Sequence, residues 1–227
     1  MEKIMQKLRE TLKSNVVAIA AYGKKEEQHV IILKKLDIKV LSDTRQIIKE
    51  YYARTKKYPL LLTNEELTNG LDVFPLEFLN MKLDHNILHG DDIFKDLNFE
   101  KKHIRRELEF EFRSKLIHLR QGYIEATSKE GLKQIVEKAI PTLLPILNGL
   151  IFLKGRDVPR KLNEMLDVIA AEYGLDMTPL RRLQEENKQD PDELVKELIS
   201  LLATMGGSLD KIKVEKTLKT RKQGHTP

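Results

Sequence analysis

The chain has 227 residues, of which 41% are hydrophobic and 33% charged, and it contains no cysteine. That balance excludes a disordered segment, and the missing cysteine excludes disulfides, zinc–thiolate sites and thiol nucleophiles. Lysine and arginine (40) outnumber aspartate and glutamate (35) by only five, a weak pull toward anionic partners.

Residues 1–14 predict a helix, with Ile4, Met5, Leu8 and Leu12 three or four apart. Residues 16–22 form a β-branched apolar run closed by Gly23, which predicts a buried strand, and residues 29–36 predict a second. A charged hairpin loop, residues 24–28, separates the two. Ser42 is the expected N-cap of a helix through Ile47, Ile48, Tyr51 and Tyr52. Residues 60–62 predict a third strand. Thr63 and Glu66 have capping-box spacing for a short helix, and residues 76–81 are the expected fourth strand.

The remainder is helical. Residues 100–126 carry two apolar stripes: Ile104, Leu108, Phe112, Leu116, Leu119 and Tyr123 on one side, Phe110, Ile117 and Ile124 on the other. At about 100° per residue the stripe centres lie about 150° apart, which predicts a central helix sandwiched between neighbours. Ser128 caps the next helix. Its segment 139–153 has no charged residue but contains Pro141, Pro145, Asn148 and Gly149, and is shorter than the roughly 20 apolar residues of a membrane span, so a buried, kinked core helix is expected. Residues 159–173 are one-faced and stopped by Gly174. Thr178-Pro179 and Asp190-Pro191 open two further helices, the last interrupted by Gly206-Gly207. Residues 211–227 are basic and poor in large apolar groups, the mark of a flexible tail. Met1 is followed by Glu2 and a charged amphipathic stretch, so no secretory signal, no membrane partner and a cytoplasmic location are expected.

Taken together, helix–strand–loop–strand–helix–strand–helix–strand followed by a bundle resembles the nucleotidyltransferase (polymerase-beta-like) superfamily with a C-terminal helical domain. Residues 58–67 (YPLLLTNEEL), 73–82 (VFPLEFLNMK), 85–90 (HNILHG) and 107–121 (ELEFEFRSKLIHLRQ) resemble stretches of uncharacterised nucleotidyltransferase-like proteins. The resemblance implies an α+β fold, a mixed sheet with flanking helices over 1–97 and an all-α helical bundle over 98–210. It also implies chemistry: two or three carboxylates holding two Mg²⁺ ions, and a Gly-Ser turn donating to nucleotide phosphates.

That chemistry is not intact in the sequence. Gly23 matches the family's glycine, but Lys24 stands where the serine belongs. With the second strand at residues 30–33, Glu27 is one candidate acid, and His29 occupies the position of the second. A rival register places Asp37 first, and Lys39 then replaces its mate. Glu77, between Leu76 and Phe78, matches the third carboxylate; the same pattern suits the polar face of a half-buried strand. Lys24 and Lys25 suit phosphate without metal, or are ordinary loop charges.

Other constellations have equally plain structural readings. His85 and His89 have the four-residue spacing of helical metal ligands, but Asn86 and Gly90 argue for a strand end and turn. His103 and His118 fall on a solvated helix face. Arg113 and Arg120 lie between the two stripes, positioned either for an anionic ligand in the interdomain cleft or for an interdomain ion pair. The expectation is therefore a pseudoenzyme that binds a nucleotide or a macromolecular partner in that cleft, with no metal. Two alternatives stand beside it: an active Mg²⁺-dependent nucleotidyltransferase with non-standard carboxylates Glu27, Asp37 and Glu77, or a structural module that forms a homo-oligomer or takes a protein partner through its bundle. The basic tail adds at most weak nucleic-acid affinity.

Overall fold

The computed structural model describes residues 1–23, 28–184 and 189–210. Helix α1 (Glu2–Leu12) buries Ile4, Met5, Leu8 and Leu12, the face its spacing predicts. It leads into strand β1 (Val16–Tyr22), which pairs antiparallel with β2 (Gln28–Leu33), Tyr22 opposite Gln28 and Val16 opposite Leu33. Strand β2 stops at Leu33 rather than Leu36 because a helix starts early. Asp37, not Ser42, is the N-cap of α2 (Ile38–Thr55), its carboxylate accepting the Val40 N–H at 2.9 Å.

Strand β3 (Leu60–Thr63) runs parallel to β2. Thr63 then caps α3 (Asn64–Asn69) through the expected capping box, the Glu66 carboxylate accepting the Thr63 N–H at 2.7 Å.

The fourth strand lies elsewhere than expected. Residues 76–81 belong to helix α4 (Pro75–Leu83), with proline at its first position. The strand is β4 (His85–Gly90), which pairs antiparallel with β1 and completes a mixed sheet of order β3-β2-β1-β4. Helix α4 is covered on two sides: Leu76 and Leu79 pack into the helical core, Phe78 and Met81 against the sheet. Burial on both sides removes the one-faced pattern by which a helix is recognised.

The helical part begins with α5 (Lys101–Glu125) and α6 (Lys129–Leu153), the latter capped by Ser128 as expected. It continues through α7 (Leu162–Tyr173), stopped by Gly174 at φ 64°, then α8 (Thr178–Arg182) and α9 (Pro191–Asp210). Gly206-Gly207 does not interrupt α9, which runs on to Asp210. Among the described residues α6 alone is long and apolar enough to cross a membrane by length and composition. Here its Leu143, Ile146, Leu147, Leu150 and Ile151 lie in the helical core.

Three apolar clusters hold these elements. Helices α1 and α2 cover one face of the sheet; α3, α4, Phe94 and Leu97 cover the other; the third cluster joins α4 through α9. Helix α5 is not sandwiched. Ile104, Leu108 and Phe112 are buried, but Phe110, Ile117 and Ile124 are exposed, because α4, α6 and α9 all pack on its inner side.

Candidate functional site

Strand β1 is central in the sheet, and its last residues open into a cleft. Gly23 leaves β1 with φ 87°, a conformation that favours glycine, and its N–H reaches the Asp84 carbonyl at 3.4 Å. Here the sheet edge, α4, α5 and α6 diverge around a cavity of about 630 Å³, within the range of small-molecule sites. Tyr22 and Gln28 come from the sheet, Glu77 and Asn80 from α4, Glu107, Glu111 and Lys115 from α5, and Pro141, Pro145 and Asn148 from α6. Pro159, Arg160 and Met165 close the far side.

Tyr22 is the donor on the sheet wall. Its hydroxyl donates to Gln28 Oε1 at 3.2 Å and lies 3.4 Å from Glu77 Oε1. Burial, then the Glu77 charge, pushes the phenol well above its ordinary pKa, so it keeps its proton throughout the physiological range.

Opposite it, Glu107 Oε2 accepts the Leu76 N–H at 2.6 Å, placing a carboxylate on the N-terminus of α4. Burial raises the Glu107 pKa, the Leu76 hydrogen bond opposes that rise, and the Glu111 and Glu77 charges add to it. Glu111 is paired with Lys115 at 3.1 Å. Deeper in, Asn80 donates to the Leu76 carbonyl at 2.6 Å and accepts from Asn148 Nδ2.

Helix α6 brings two prolines to the wall. Pro145 has no N–H to give the carbonyl of Pro141 one turn earlier, and both residues line the cleft. Among the described residues the lining holds four carboxylates (Glu77, Asp84, Glu107, Glu111) and two cations (Lys115, Arg160), with apolar Ile140, Leu144, Pro145 and Leu162. Such a wall favours ligands that donate hydrogen bonds and have a flat or apolar body.

The residues singled out in the sequence scatter. Gly23 and Glu77 are brought together at the cleft mouth, but Glu77 stands on a helix and not on a strand. Asp37 lies at the opposite end of the sheet, beyond the β2 terminus that pairs with Val16, bonded to Val40 and to Lys35 at 2.9 Å. With strands advancing about 3.3 Å per residue, Asp37 and Glu77 are about 20 Å apart along β1 and cannot share a metal. Its carboxyl is held below the usual range by the Val40 N–H and then by Lys35, as a helix cap requires.

His29, on the second acid's position, turns to the other face of the sheet, where Nδ1 lies 3.0 Å from the Tyr51 hydroxyl. Lys24, Lys25 and Glu27 lie outside the described residues. Among the described residues, no group of three or more histidines and carboxylates is arranged to hold a metal ion. The two-metal arrangement thus finds no matching set of side chains among the described residues.

Arg113 and Arg120 do not line the cleft; α5 presents Glu107, Glu111 and Lys115 there instead. Arg113 borders a shallow depression against Leu202, Gly206 and Gly207 of α9. Glu109, one turn before it, pairs with Arg105 at 2.6 Å. His85 sits on β4, bonded to Asp92 at 3.0 Å and to the Met81 carbonyl at 2.9 Å.

Sequence reasoning missed Tyr22, Gln28, Asn80, Glu107 and Asn148 as site residues. Asn80 and Asn148 carried a signal: an amide inside an apolar run needs a partner or a ligand. No protein-family model matches the chain, and no curated protein shows a significant match to it.

Proposed function

We propose that the chain is a nucleotidyltransferase-like protein that has lost metal-dependent transfer and binds a nucleotide through its nucleoside part. The observation that carries this reading is the cleft of about 630 Å³ at the Gly23 end of β1, walled by acceptors and apolar surface. Ribose hydroxyls and exocyclic amines are donors that suit Glu77, Asn80 and the Pro141 carbonyl, and a base has a flat apolar face for Pro145 and Leu144. The four carboxylates disfavour additional phosphate charge. Affinity is therefore expected to fall from nucleoside and monophosphate to triphosphate, the reverse of an active transferase.

Calorimetric titration with the four nucleosides, their monophosphates and their triphosphates tests this. Glu77→Gln and Asn80→Ala are expected to weaken the best ligand at least tenfold. Triphosphates binding tightest, or transfer of labelled nucleotide with Mg²⁺ or Mn²⁺ that Glu77→Gln abolishes, would overturn it.

The excess of carboxylates favours a second reading, in which a basic segment of a macromolecular partner occupies the cleft. Binding of an oligolysine peptide, lost in Glu77→Gln and Glu111→Gln, with no response to any nucleoside, would establish that reading instead.

A further inference from the structure

Among the described residues, no element packs on the outer face of α5. Phe110, Ile117 and Ile124 repeat every seven residues and are 68%, 53% and 81% exposed. Seven residues fall about 20° short of two helical turns, so the row drifts slowly around α5, the geometry a second helix follows by crossing at about 20°. Isolated apolar residues on a surface need no explanation, but three in one register form a seam.

Charge decides what fits it. Arg106 and Arg120 flank the row on one side, and both are exposed; Arg106 donates to the Asp72 carbonyl at 2.6 Å, a neutral acceptor that leaves its charge in place. Three neighbouring acids of α5 are engaged, Glu107 with the Leu76 N–H, Glu109 with Arg105 and Glu111 with Lys115, while Glu125 is exposed at the C-terminal end of the row beside Ile124. The face presented to solvent is thus apolar along its centre and basic along one edge, with Glu125 at its C-terminal end.

A second copy suits it poorly. In an antiparallel pair, a two-fold axis places the arginine flanks of both copies on the same side; a parallel pair sets them against the opposite flank, where Glu107 and Glu111 already have partners. The seam is also small. Fourteen residues at about 1.5 Å each, and a helix about 11 Å wide, present on the order of 250 Å², against about 800 Å² per partner in a stable dimer.

We infer that the Phe110–Ile117–Ile124 row is a docking seam for one acidic amphipathic helix of another protein, with apolar residues seven apart and glutamate or aspartate beside them. The seam is independent of the cleft, since Phe110, Ile117 and Ile124 do not line it.

The test is a display library of 18-residue helices with apolar residues fixed seven apart and flanking positions randomised over Glu, Gln and Lys, selected on the full chain. Selection is expected to enrich Glu at the flanks. The selected peptide, followed by fluorescence anisotropy, is expected to lose at least tenfold in affinity with Ile117→Asp and with Arg120→Glu, and to weaken as salt rises. Ile124→Asp gives a second variant at a still more exposed position, and an unchanged circular-dichroism melt establishes that each variant is folded. No enrichment, enrichment of Gln or Lys, or binding indifferent to both apolar variants overturns the proposal. So does a dimer in sedimentation equilibrium that Ile117→Asp disperses, which assigns the seam to a second copy. Capture by phosphatidylserine vesicles, with no peptide selected, assigns it to a membrane surface instead.

Discussion

Helix α5 has an inner and an outer face with similar apolar sequence and opposite fates. Ile104, Leu108 and Phe112 are almost wholly inaccessible; Phe110, Ile117 and Ile124 are each more than half exposed. The hydrophobic pattern says how many stripes a helix carries. The number of neighbours is set by topology, and here α4, α6 and α9 all reach the same side. The outer stripe is thus a property of the surface, and the inner one a property of the core.

The largest expected effect separates the two faces by stability. Leu108→Ala removes a fully buried side chain at the meeting point of α4, α5 and α6, and is expected to cost about 2–5 kcal/mol in urea unfolding. A cost within about 0.5 kcal/mol would mean that the inner face is not packed as described, and the contrast with the outer face would fail.

The inner seam is tight enough to be read from the opposite direction. A Cβ at Gly149 of α6 would lie 2.4 Å from Leu76 Cδ2 and 3.1 Å from Leu108 Cδ2. Gly149→Ala is therefore expected to destabilise by about 1–3 kcal/mol, despite alanine's better helix propensity. In a Leu108→Ala background part of that cost is expected to vanish, because the smaller residue leaves room. A double-mutant cycle measures the difference. Strict additivity would show that the two positions do not share a packing site.

Between the two faces lies the flank that meets the cleft, and its chemistry is sensitive to pH. The Glu107 pKa is raised in the folded protein, first by burial and then, against the Leu76 hydrogen bond, by Glu111 and Glu77. A carboxyl with a raised folded pKa binds its proton more tightly when folded. It destabilises nothing below its unfolded pKa and costs stability as pH rises through the folded pKa. Glu107→Gln removes that titration while its amide oxygen still faces the Leu76 N–H. The melting temperature of Glu107→Gln relative to the parent chain is thus expected to increase from pH 4 to pH 8. A difference that shrinks over this range would reverse the sign and place Glu107 among the stabilising anions.

How far the sequence foretold this molecule depends on whether a segment has one environment or two. Helix α1, strands β1 and β3, the Thr63–Glu66 capping box, Ser128 and Gly174 were all legible, because each signal is local and one-sided. Helix α4 was not. Contact with both the sheet and the helical core spread its buried residues over two sides, so that Leu76, Glu77 and Phe78 read as a strand's alternation, and Pro75 was its surviving mark. Strand β4 was hidden for the opposite reason: it is an edge strand, with Asn86, Leu88 and His89 exposed, so it lacks a buried alternation.

The site was half legible. Gly23 and Glu77 do meet at the cleft mouth, though they were chosen on the expectation of a strand at Glu77. Asp37 was misplaced because an acid before an apolar-x-apolar run also reads as an ordinary helix cap, and its hydrogen bond to Val40 is that cap. Glu107 was invisible as a site residue: its raised pKa and its hold on α4 depend on a partner 31 residues away.

The smallest expected effect is the one that defines the outer face. Ile124 is 81% exposed, so Ile124→Gln removes little apolar surface that folding had covered. Glutamine is also the better helix former by a few tenths of a kcal/mol, since it keeps the χ1 freedom a β-branched side chain loses in a helix. The two terms nearly cancel, and the stability of Ile124→Gln is expected to stay within about 0.5 kcal/mol of the parent chain with an unchanged urea m-value. A loss of 2 kcal/mol or more would require that something covers Ile124 in solution. Repeating the unfolding at tenfold lower protein concentration then decides what: a midpoint that falls on dilution identifies a second copy, whereas a constant midpoint identifies a segment of the same chain.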